Sequence, residues 1–504
     1  MRGPGDGADG RTSGSASIFR TVLGVTVLGA ILAAVMPLSL LVQVPDVGRG
    51  QAWILTLVLV VWAGLRLALL IVVGRPMLFD FFFWMFVYVF MGIAPTVQIR
   101  SGLISRTTQG IDESLELPTA ALVCLGVACY EIGRLVAYGH ERGRLTTGSR
   151  EEGNAPVRAV TQVRTWSTLV LVGAGFIFSL YFISKIGLGS LFGSRDQAFA
   201  ARSATWTDPA VRSIMYAVAI YPLLVGIGAL VQVRRRTTGP LAMAYGGVIA
   251  IGIALLLTVV NPVSSARYSL GTVLFALAVY AGALLTVARV RTALTAALVG
   301  LIFLFPLADA FRRPEVNLVR NGFFGEYEGN PDYDAFWQVA NAFSYGLDGL
   351  IEPGRQALGS VLFWVPRGLW PDKPVDTGIL LAQYRGYSFQ NLSAPLWAEF
   401  LVNGGIGVLI VGFLLVGYAL RVMDSRLLPA VKASGYWAIV GAVFPVYMTI
   451  LLRGSLLQAT GVVAVALACL LFVRQPVRSP GGDSLSGTNW PEFQQSPASR
   501  TGSG

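Results

Sequence analysis

The sequence predicts an all-α polytopic membrane protein with about 12 transmembrane helices and one large extracytoplasmic loop between spans 9 and 10. Of the 504 residues, 54% are hydrophobic and only 13% are charged, so there is more apolar surface than a soluble core can bury. Many apolar runs reach the ~20 residues that a helix needs to cross the hydrocarbon core of a bilayer. The basic residues lie mainly in the short segments between these runs.

Charge and cysteine content exclude several classes of site. The net charge of +11 does not indicate a nucleic-acid partner, because the basic residues form no single soluble face. Cys124, Cys129 and Cys469 lie in apolar runs, so neither a disulfide framework nor a cysteine metal site is expected. His140, the only histidine, cannot form a multi-histidine zinc site. We therefore expect no metal and no cofactor.

The apolar runs divide the chain into termini, spans and one loop. Residues 1–17 are predicted to be a disordered cytoplasmic N-terminus, and residues 474–504 a disordered cytoplasmic tail, because both are rich in Gly and Ser. Residues 18–308 hold predicted spans 1–9, and residues 394–473 hold spans 10–12. The predicted spans are 21–42, 52–73, 77–97, 117–138, 166–186, 211–231, 241–260, 270–288, 292–308, 394–420, 434–452 and 455–473.

Arginine distribution predicts the orientation of these spans. With a cytoplasmic N-terminus, every predicted cytoplasmic segment is basic, as in the triplet Arg234, Arg235 and Arg236, whereas the outward loops are less so. We therefore expect a multi-pass protein of the cytoplasmic (inner) membrane with both termini in the cytoplasm. By parity, the loop of residues 309–393 faces away from the cytoplasm.

Arg66, Glu131 and Arg134 are charged residues that lie well inside predicted spans. Charge within a membrane is costly and indicates a function or a partner. Glu131 and Arg134 are three residues apart and can pair on one helix face, and Glu131 is also a candidate partner for Arg66 from another helix.

The long loop is too aromatic for a free coil, so we expect it to be ordered. Apolar residues recur at helical spacing between Tyr333 and Leu350, at Phe336, Val339, Ala340, Phe343 and Leu347. This spacing predicts an amphipathic helix on the membrane surface. It would act either as an interfacial packing element or as a lid over a bound lipid-linked substrate.

The most informative segment is 363–374, FWVPRGLWPDKP. Its three prolines restrict the backbone, while Arg367 and Lys373 supply positive charge. A guanidinium can bind phosphate through two hydrogen bonds, and the rings of Trp364 and Trp370 suit the apolar faces of sugars. The alternative is a rigid interfacial turn whose cations reach toward water.

Two segments resemble a known family. PRGLWPDKP (366–374) and AEFLVNGGIGV (398–408) look like the C-terminal signature of the bacterial O-antigen polymerases, the Wzy-type oligosaccharide repeat-unit polymerases. NPVSSARY (261–268) is similar to an outward loop of that family carrying an arginine, here Arg267. Leu452–Ser455 is similar to a late outward arginine turn, here with Arg453. The resemblance covers mainly residues 255–475.

The resemblance implies a metal-independent membrane glycosyltransferase. It would polymerise polyprenyl-pyrophosphate-linked oligosaccharide repeat units into a surface polysaccharide at the outer face of the cytoplasmic membrane. The expected partners are that lipid-linked oligosaccharide and the bilayer, with a chain-length regulator as a further candidate. Outward arginines would hold the polyanionic donor, because a departing polyprenyl pyrophosphate develops negative charge that fixed cations stabilise.

The predicted catalytic residues are Arg267, Arg367 and Glu399, with Glu399 as the general base. Glu399 can equally orient a loop backbone, and Asp372 and Asp376 compete for the base role. The predicted substrate-binding residues are Arg195, Lys373, Arg385, Arg453, Trp364, Trp370 and Asn403. Arg202 lies on the same predicted side. Each cation has the alternative role of headgroup anchor or ion-pair partner.

Other functions remain open at this stage. An O-antigen ligase shares the architecture, but that family typically presents a histidine in its large outward loop, and this loop has none. A metal-dependent glycosyltransferase would want paired acidic residues in the first outward loop, which offers only Asp46. A transporter or flippase of lipid-linked oligosaccharide also fits the span count.

Overall fold

The computed structural model describes residues 21–105, 107–148, 162–304, 323–432 and 435–475. This part of the chain is helical, and its one β-bridge joins Val163 to Arg474. Its helices are α1 (Thr21–Gln43), α2 (Ala52–Val73), α3 (Leu78–Ser101), α4 (Glu113–Gly143), α5 (Thr165–Ile186), α6 (Arg195–Thr205), α7 (Val211–Arg234), α8 (Pro240–Val259), α9 (Arg267–Tyr280), α10 (Val287–Val299), α11 (Ala335–Leu347), α12 (Arg355–Val361), α13 (Thr377–Arg385), α14 (Leu396–Leu427), α15 (Tyr436–Arg453) and α16 (Leu456–Val473). Short turns of helix lie between some of them.

Ten of the described helices are long and apolar enough to cross a membrane, namely α1–α5, α7, α8 and α14–α16. They match predicted spans 1–7 and 10–12, so the prediction of a polytopic helical membrane protein is confirmed. The count of twelve stays a prediction. The predicted N-terminus and most of the predicted tail lie outside the described residues; Gln475 is described, and its N–H donates to Gln162 O over 3.0 Å.

The structure differs most from the predicted spans at spans 8 and 9. Instead of continuing to residue 288, α9 ends at Tyr280 after 14 residues, or about 21 Å, which is shorter than the ~30 Å hydrocarbon core. A turn follows in which Gly282 has φ +97°, a conformation that favours glycine, and α10 begins at Val287. The end of predicted span 9 lies outside the described residues.

Successive long helices run in opposite directions, so the connections between them lie at two ends of the helix bundle. At one end, Asn261 donates to Leu191 O over 2.9 Å, and the N–H of Ala394 donates to Arg453 O over 2.9 Å. We call this the loop end, because it holds the predicted outward connections. At the opposite end, Arg421 pairs with Glu141 at 2.8 Å. The grouping agrees with the predicted parity, while the side of the membrane that each end faces stays a prediction.

The central helix pair is α4 and α14, which approach closely because glycines remove side chains from the contact. A Cβ added at Gly133 would lie 2.0 Å from Leu414 O, and one at Gly417 would lie 2.0 Å from Tyr130 O. Neither position therefore has room for a larger residue. Next to this pair, α3 is buried along its whole length.

The predicted pairing of the intramembrane charges is confirmed. Arg66 Nε lies 2.8 Å from Glu131 Oε1, and the other oxygen of Glu131 lies 2.8 Å from Arg134 Nη2. Arg66 also approaches Asp80, a partner that was not predicted, with 3.4 Å between Nη2 and Oδ2. Each guanidinium of this cluster is paired with a carboxylate of the same cluster. This pairing favours a structural role for these charges.

Asp424 on α14 is a further charged residue next to this cluster. Its two carboxylate oxygens accept hydrogen bonds from the backbone N–H groups of Phe79 and Asp80, each at 3.0 Å. These donors belong to the first turn of α3 and have no partner within their own helix. A carboxylate from one span thus caps the start of another.

The predicted amphipathic helix exists as α11, but protein covers its apolar face, and its location on the membrane surface stays a prediction. Residues 335–342 are all buried, with Phe336, Trp337 and Val339 fully inaccessible to solvent. The helix packs against α14 and α4 and also touches the middle of α3. An amphipathic pattern indicates an apolar face, but only the neighbouring helices decide whether lipid or protein covers it.

We expect Gly133→Leu to prevent correct packing of α4 on α14, because the new side chain meets the backbone of residue 414. Gly139 is a matched control on the same helix, since a Cβ there has no heavy atom within 4 Å. Size-exclusion chromatography in detergent should show loss of the monodisperse peak for Gly133→Leu and not for Gly139→Leu. Equal recovery of both variants would contradict the described contact.

Candidate functional site

Two arginines from distant parts of the chain converge at the loop end. Arg267 begins α9 and Arg453 ends α15, yet both approach the carboxylate of Asp332. Arg267 Nη1 lies 3.4 Å from Asp332 Oδ2, and Arg453 Nη2 lies 3.5 Å from Asp332 Oδ1. We call these residues together with Asp334 the arginine-aspartate cluster. The two arginines that the sequence singled out separately thus share one site.

The cluster is recessed between the helices. The guanidinium carbon of Arg453 lies 5.8 Å from the ring centroid of Phe90, and the ring of Tyr333 lies 5.6 Å from that of Phe90. Phe90 is eleven residues before the end of α3 at Ser101, which corresponds to about 16 Å along the helix. The cluster therefore lies well below the end of α3, where water screens charges less.

Asp334 connects the long loop to the turn between α15 and α16. Its Oδ1 lies 3.8 Å from Arg453 Nη2, and its Oδ2 accepts the N–H of Ser393 over 3.0 Å. Burial raises the pKa of Asp334 above its ordinary value, against the opposing effect of Arg453. Its carboxylate is therefore held less firmly in the ionised form than an exposed aspartate would be.

Gln98 anchors the same loop from α3. Its amide nitrogen donates to Tyr327 O over 2.9 Å, and its amide oxygen accepts from Trp337 Nε1 over 2.7 Å. Gln98 is fully buried. These hydrogen bonds satisfy both ends of a polar side chain and hold the segment that carries Asp332 against the bundle.

Sequence reasoning missed Gln98, Asp332 and Asp334. A signal existed for each of them. Gln98 is a polar residue directly after predicted span 3, and the two aspartates flank Tyr333 at the start of the predicted amphipathic helix. Their pairing with Arg267 and Arg453 had no local signal, because the partners are far apart in sequence.

Glu399 is buried beneath the turn between α15 and α16. Its Oε1 accepts the N–H of Leu456 over 2.8 Å, and its Oε2 accepts the hydroxyl of Thr377 over 3.0 Å. Leu456 is the first residue of α16, so Glu399 caps that helix from α14. These contacts favour the alternative that Glu399 orients a backbone. Its predicted role as the general base stays a prediction.

Asn403 is also used to hold backbone. Its Nδ2 donates to Glu399 O, and its Oδ1 accepts the N–H of Ala357, each over 2.8 Å. The carbonyl of Asn403 accepts the N–H of Gly354 over 2.9 Å. Asn403 therefore joins α14 to the start of α12, two residues before Gly405 breaks the helix with φ +66°. A direct contact of Asn403 with a substrate stays a prediction.

The structure places Arg367 and Lys373 in a turn of their own. Arg367 donates to the carbonyls of Lys373 and Pro374 over 2.8 and 3.3 Å. The ammonium of Lys373 donates to the carbonyls of Phe363 and Val365 over 2.6 and 2.9 Å. Both cations thus stabilise the fold of the segment that carries them.

The other predicted binding residues are scattered over the loop end. On the same turn, Trp364 is 67% exposed and Trp370 is half-buried. Arg385 donates to Asn341 Oδ1 over 2.8 Å, and Arg195 is exposed at the start of α6. Arg202 lies over the ring of Tyr216 with 5.1 Å to its centroid. Contact of these residues with a substrate stays a prediction.

Asp376, one of the predicted competitors for the base role, lies beside Glu399 and the α15–α16 turn. Its Oδ1 accepts the N–H of Gly378 over 2.9 Å, and the N–H of Thr377 donates to Ser455 Oγ over 3.3 Å. Burial raises the pKa of Asp376, and its hydrogen bonds oppose that shift. Unlike Glu399, Asp376 is partly exposed. It is therefore the more accessible of these two carboxylates.

Within the described part of the chain, no three or more His, Cys, Asp or Glu side chains are grouped as metal ligands would be. Comparison of the chain with protein-family models, with curated proteins and with solved structures finds no match. The family assignment therefore stays a prediction based on the motifs quoted above.

We expect Asn403→Ala to lower the stability of the detergent-solubilised protein by about 1–2 kcal/mol, because it removes the acceptor that caps α12. Asn391, an exposed residue of the same loop, provides the control substitution Asn391→Ala. Thermal unfolding followed by intrinsic fluorescence should show a lower midpoint for Asn403→Ala only. Equal midpoints for the two variants would show that the side-chain hydrogen bonds of Asn403 do not stabilise the protein.

Proposed function

We propose that the loop end is the active site of a membrane glycosyltransferase that polymerises polyprenyl-pyrophosphate-linked oligosaccharide repeat units. The outer face of the cytoplasmic membrane is the proposed place of reaction. The observation that carries this proposal is the convergence of Arg267 and Arg453 on one recessed carboxylate. A position that holds a carboxylate between two guanidiniums also suits a phosphate.

In the proposed reaction, a hydroxyl of the acceptor sugar attacks the anomeric carbon of the donor glycan. The bond from that carbon to the pyrophosphate oxygen breaks, and the polyprenyl pyrophosphate leaves with the electron pair. Arg267 and Arg453 stabilise the negative charge that develops on the leaving group. The donor phosphate replaces Asp332 between them, so the segment that carries Asp332 moves when the donor binds.

The proton of the acceptor hydroxyl passes to a carboxylate. Asp376 is the more exposed candidate for this role, and burial raises its pKa, which makes its carboxylate a stronger proton acceptor than that of an ordinary aspartate. Glu399 then serves as a positioning residue, because its hydrogen bond to the N–H of Leu456 sets the turn that follows Arg453. If Glu399 accepts the proton and Asp376 is the positioning residue instead, the stabilisation of the leaving pyrophosphate by Arg267 and Arg453 is the same.

We expect Arg267→Ala and Arg453→Ala each to shorten the surface glycan strongly, with a loss of rate of about 10²–10³-fold. Arg426→Ala is the control, because Arg426 is exposed near the opposite end of α14. Gel analysis of surface glycan and immunoblotting of the protein would measure both effects. Wild-type glycan length in both variants at normal protein level would overturn the site assignment.

Deletion of the gene tests the class of protein. Loss of a polymerase leaves single repeat units on the cell surface, whereas loss of a flippase leaves none. Single units in the deletion strain support the proposal. Complete absence of repeat units favours the flippase alternative, and unchanged glycan contradicts both.

We expect the loop end to face away from the cytoplasm. Ser388→Cys, at an exposed loop position, should react in intact cells with a maleimide that cannot cross membranes, whereas Arg426→Cys should react only after permeabilisation. The wild-type chain is the background control, because Cys129 and Cys469 are buried and Cys124 is half-buried. The reverse labelling pattern would refute an extracytoplasmic active site.

A further inference from the structure

A cleft of about 230 Å³ opens beside α14, separate from the arginine-aspartate cluster. Its walls come from the end of α11, the start of α12, the turn at 372–375, α13 and α14. Tyr345, Gln356, Lys373 and Val402 are among the residues that line it. This volume is below the ~300–1,000 Å³ of pockets that take drug-sized ligands, so the cleft suits one small ligand unit.

Gln356 provides the first sign of a ligand. Its side chain lines the cleft, only 6% of the residue is exposed, and its Oε1 has no hydrogen-bond partner among the described residues. Buried amide oxygens almost always accept a hydrogen bond. A ligand that donates a hydrogen bond, such as a hydroxyl group, would satisfy this atom.

The charges around the cleft are already matched. Arg355 pairs with Glu352 and also donates to the carbonyl of Asp372 over 3.0 Å. Lys373 directs its ammonium to two backbone carbonyls of its own turn. The four charged lining residues sum to zero, two cations and two carboxylates, so the cleft favours a neutral polar ligand over a phosphate.

Tyr345 supplies a rigid aromatic surface. Its ring packs edge-on against Tyr384 at a centroid distance of 5.3 Å and an interplanar angle of 88°. The hydroxyl of Tyr384 is fixed in turn by hydrogen bonds with Ser344, at 2.9 Å, and with Asp348. An aromatic side chain held in place beside hydrogen-bonding groups is suited to the apolar face of a pyranose ring.

The position of the cleft relative to Glu399 gives it a role. Val402 lies three residues after Glu399 on α14, about one helical turn away. Val375 lines the cleft and is followed directly by Asp376 and by Thr377, whose hydroxyl binds Glu399. The cleft therefore adjoins the segments that carry Asp376 and Glu399, and Glu399 also accepts the N–H of Leu456, three residues after Arg453 of the arginine-aspartate cluster.

We propose that this cleft binds one neutral sugar residue through Gln356 and Tyr345. Its assignment as the acceptor subsite rests on the proposed function, whereas sugar binding itself does not. The acceptor sugar would present its hydroxyl to the carboxylates at Asp376 and Glu399, while the donor phosphate lies at Arg267 and Arg453.

The test uses the full-length protein in nanodiscs and saturation-transfer NMR with six methyl glycosides. The probes are those of glucose, galactose, mannose, rhamnose, N-acetylglucosamine and N-acetylgalactosamine. At least one should show transfer to its ring protons, and Gln356→Ala and Tyr345→Ala should each weaken its binding by about tenfold or more. Gln383→Ala and Tyr181→Ala are controls at exposed positions outside the cleft. Gln356→Asn keeps the amide and should retain part of the binding.

Thermal unfolding of every variant separates loss of the site from loss of the fold. Absence of transfer for all six glycosides, or equal binding by the cleft variants and the controls, would overturn the proposal. Displacement of the sugar by inorganic pyrophosphate would also overturn it, since the cleft would then bind anions. If sugar binding holds but Arg267→Ala and Arg453→Ala leave the glycan unchanged, the proposed function fails while the sugar site stands.

Discussion

Pairing of charge between packed helices is the constraint on which this structure depends. A guanidinium loses its hydration when helices surround it, so it is stable there only beside carboxylates or carbonyls. The structure meets this requirement twice. Near the opposite end, Arg66 and Arg134 share Glu131, and at the loop end Arg267 and Arg453 share Asp332. The two clusters nevertheless differ in what they can do.

The difference lies in where the carboxylates come from. Glu131 and Asp80 belong to long helices that cannot leave the bundle without unfolding it. Asp332 belongs to a three-residue 3-10 turn, Pro331–Tyr333, in the long loop, and hydrogen bonds from Gln98 hold that loop in place. Displacement of a loop carboxylate by a phosphate is therefore far less costly than displacement of one from a span. This difference in cost supports the loop end as the proposed anion site.

Hydrogen bonds from side chains to backbone groups hold the rest of the loop end together. Glu399 and Asn403, one helical turn apart on α14, cap the starts of α16 and α12 and so connect three helices. The break at Gly405 lets the chain continue across the membrane in a different direction from these two residues. Arg367 and Lys373 act similarly on their own turn. Charged and polar residues of types that are common in active sites can thus serve to hold the backbone in place.

The sequence by itself determined the helical membrane architecture, ten of the predicted spans, the pairing of Arg66 with Glu131 and the existence of α11. These features depend on apolar length, on helical spacing and on the cost of unpaired charge, which are properties of local segments. It also selected Arg267 and Arg453. Only the tertiary structure showed that both arginines meet Asp332, that α11 is covered by protein and that Glu399 caps α16. Each of these contacts joins residues that are distant in sequence, and no charge within an apolar span pointed to these partners, as it did for Arg66 and Glu131.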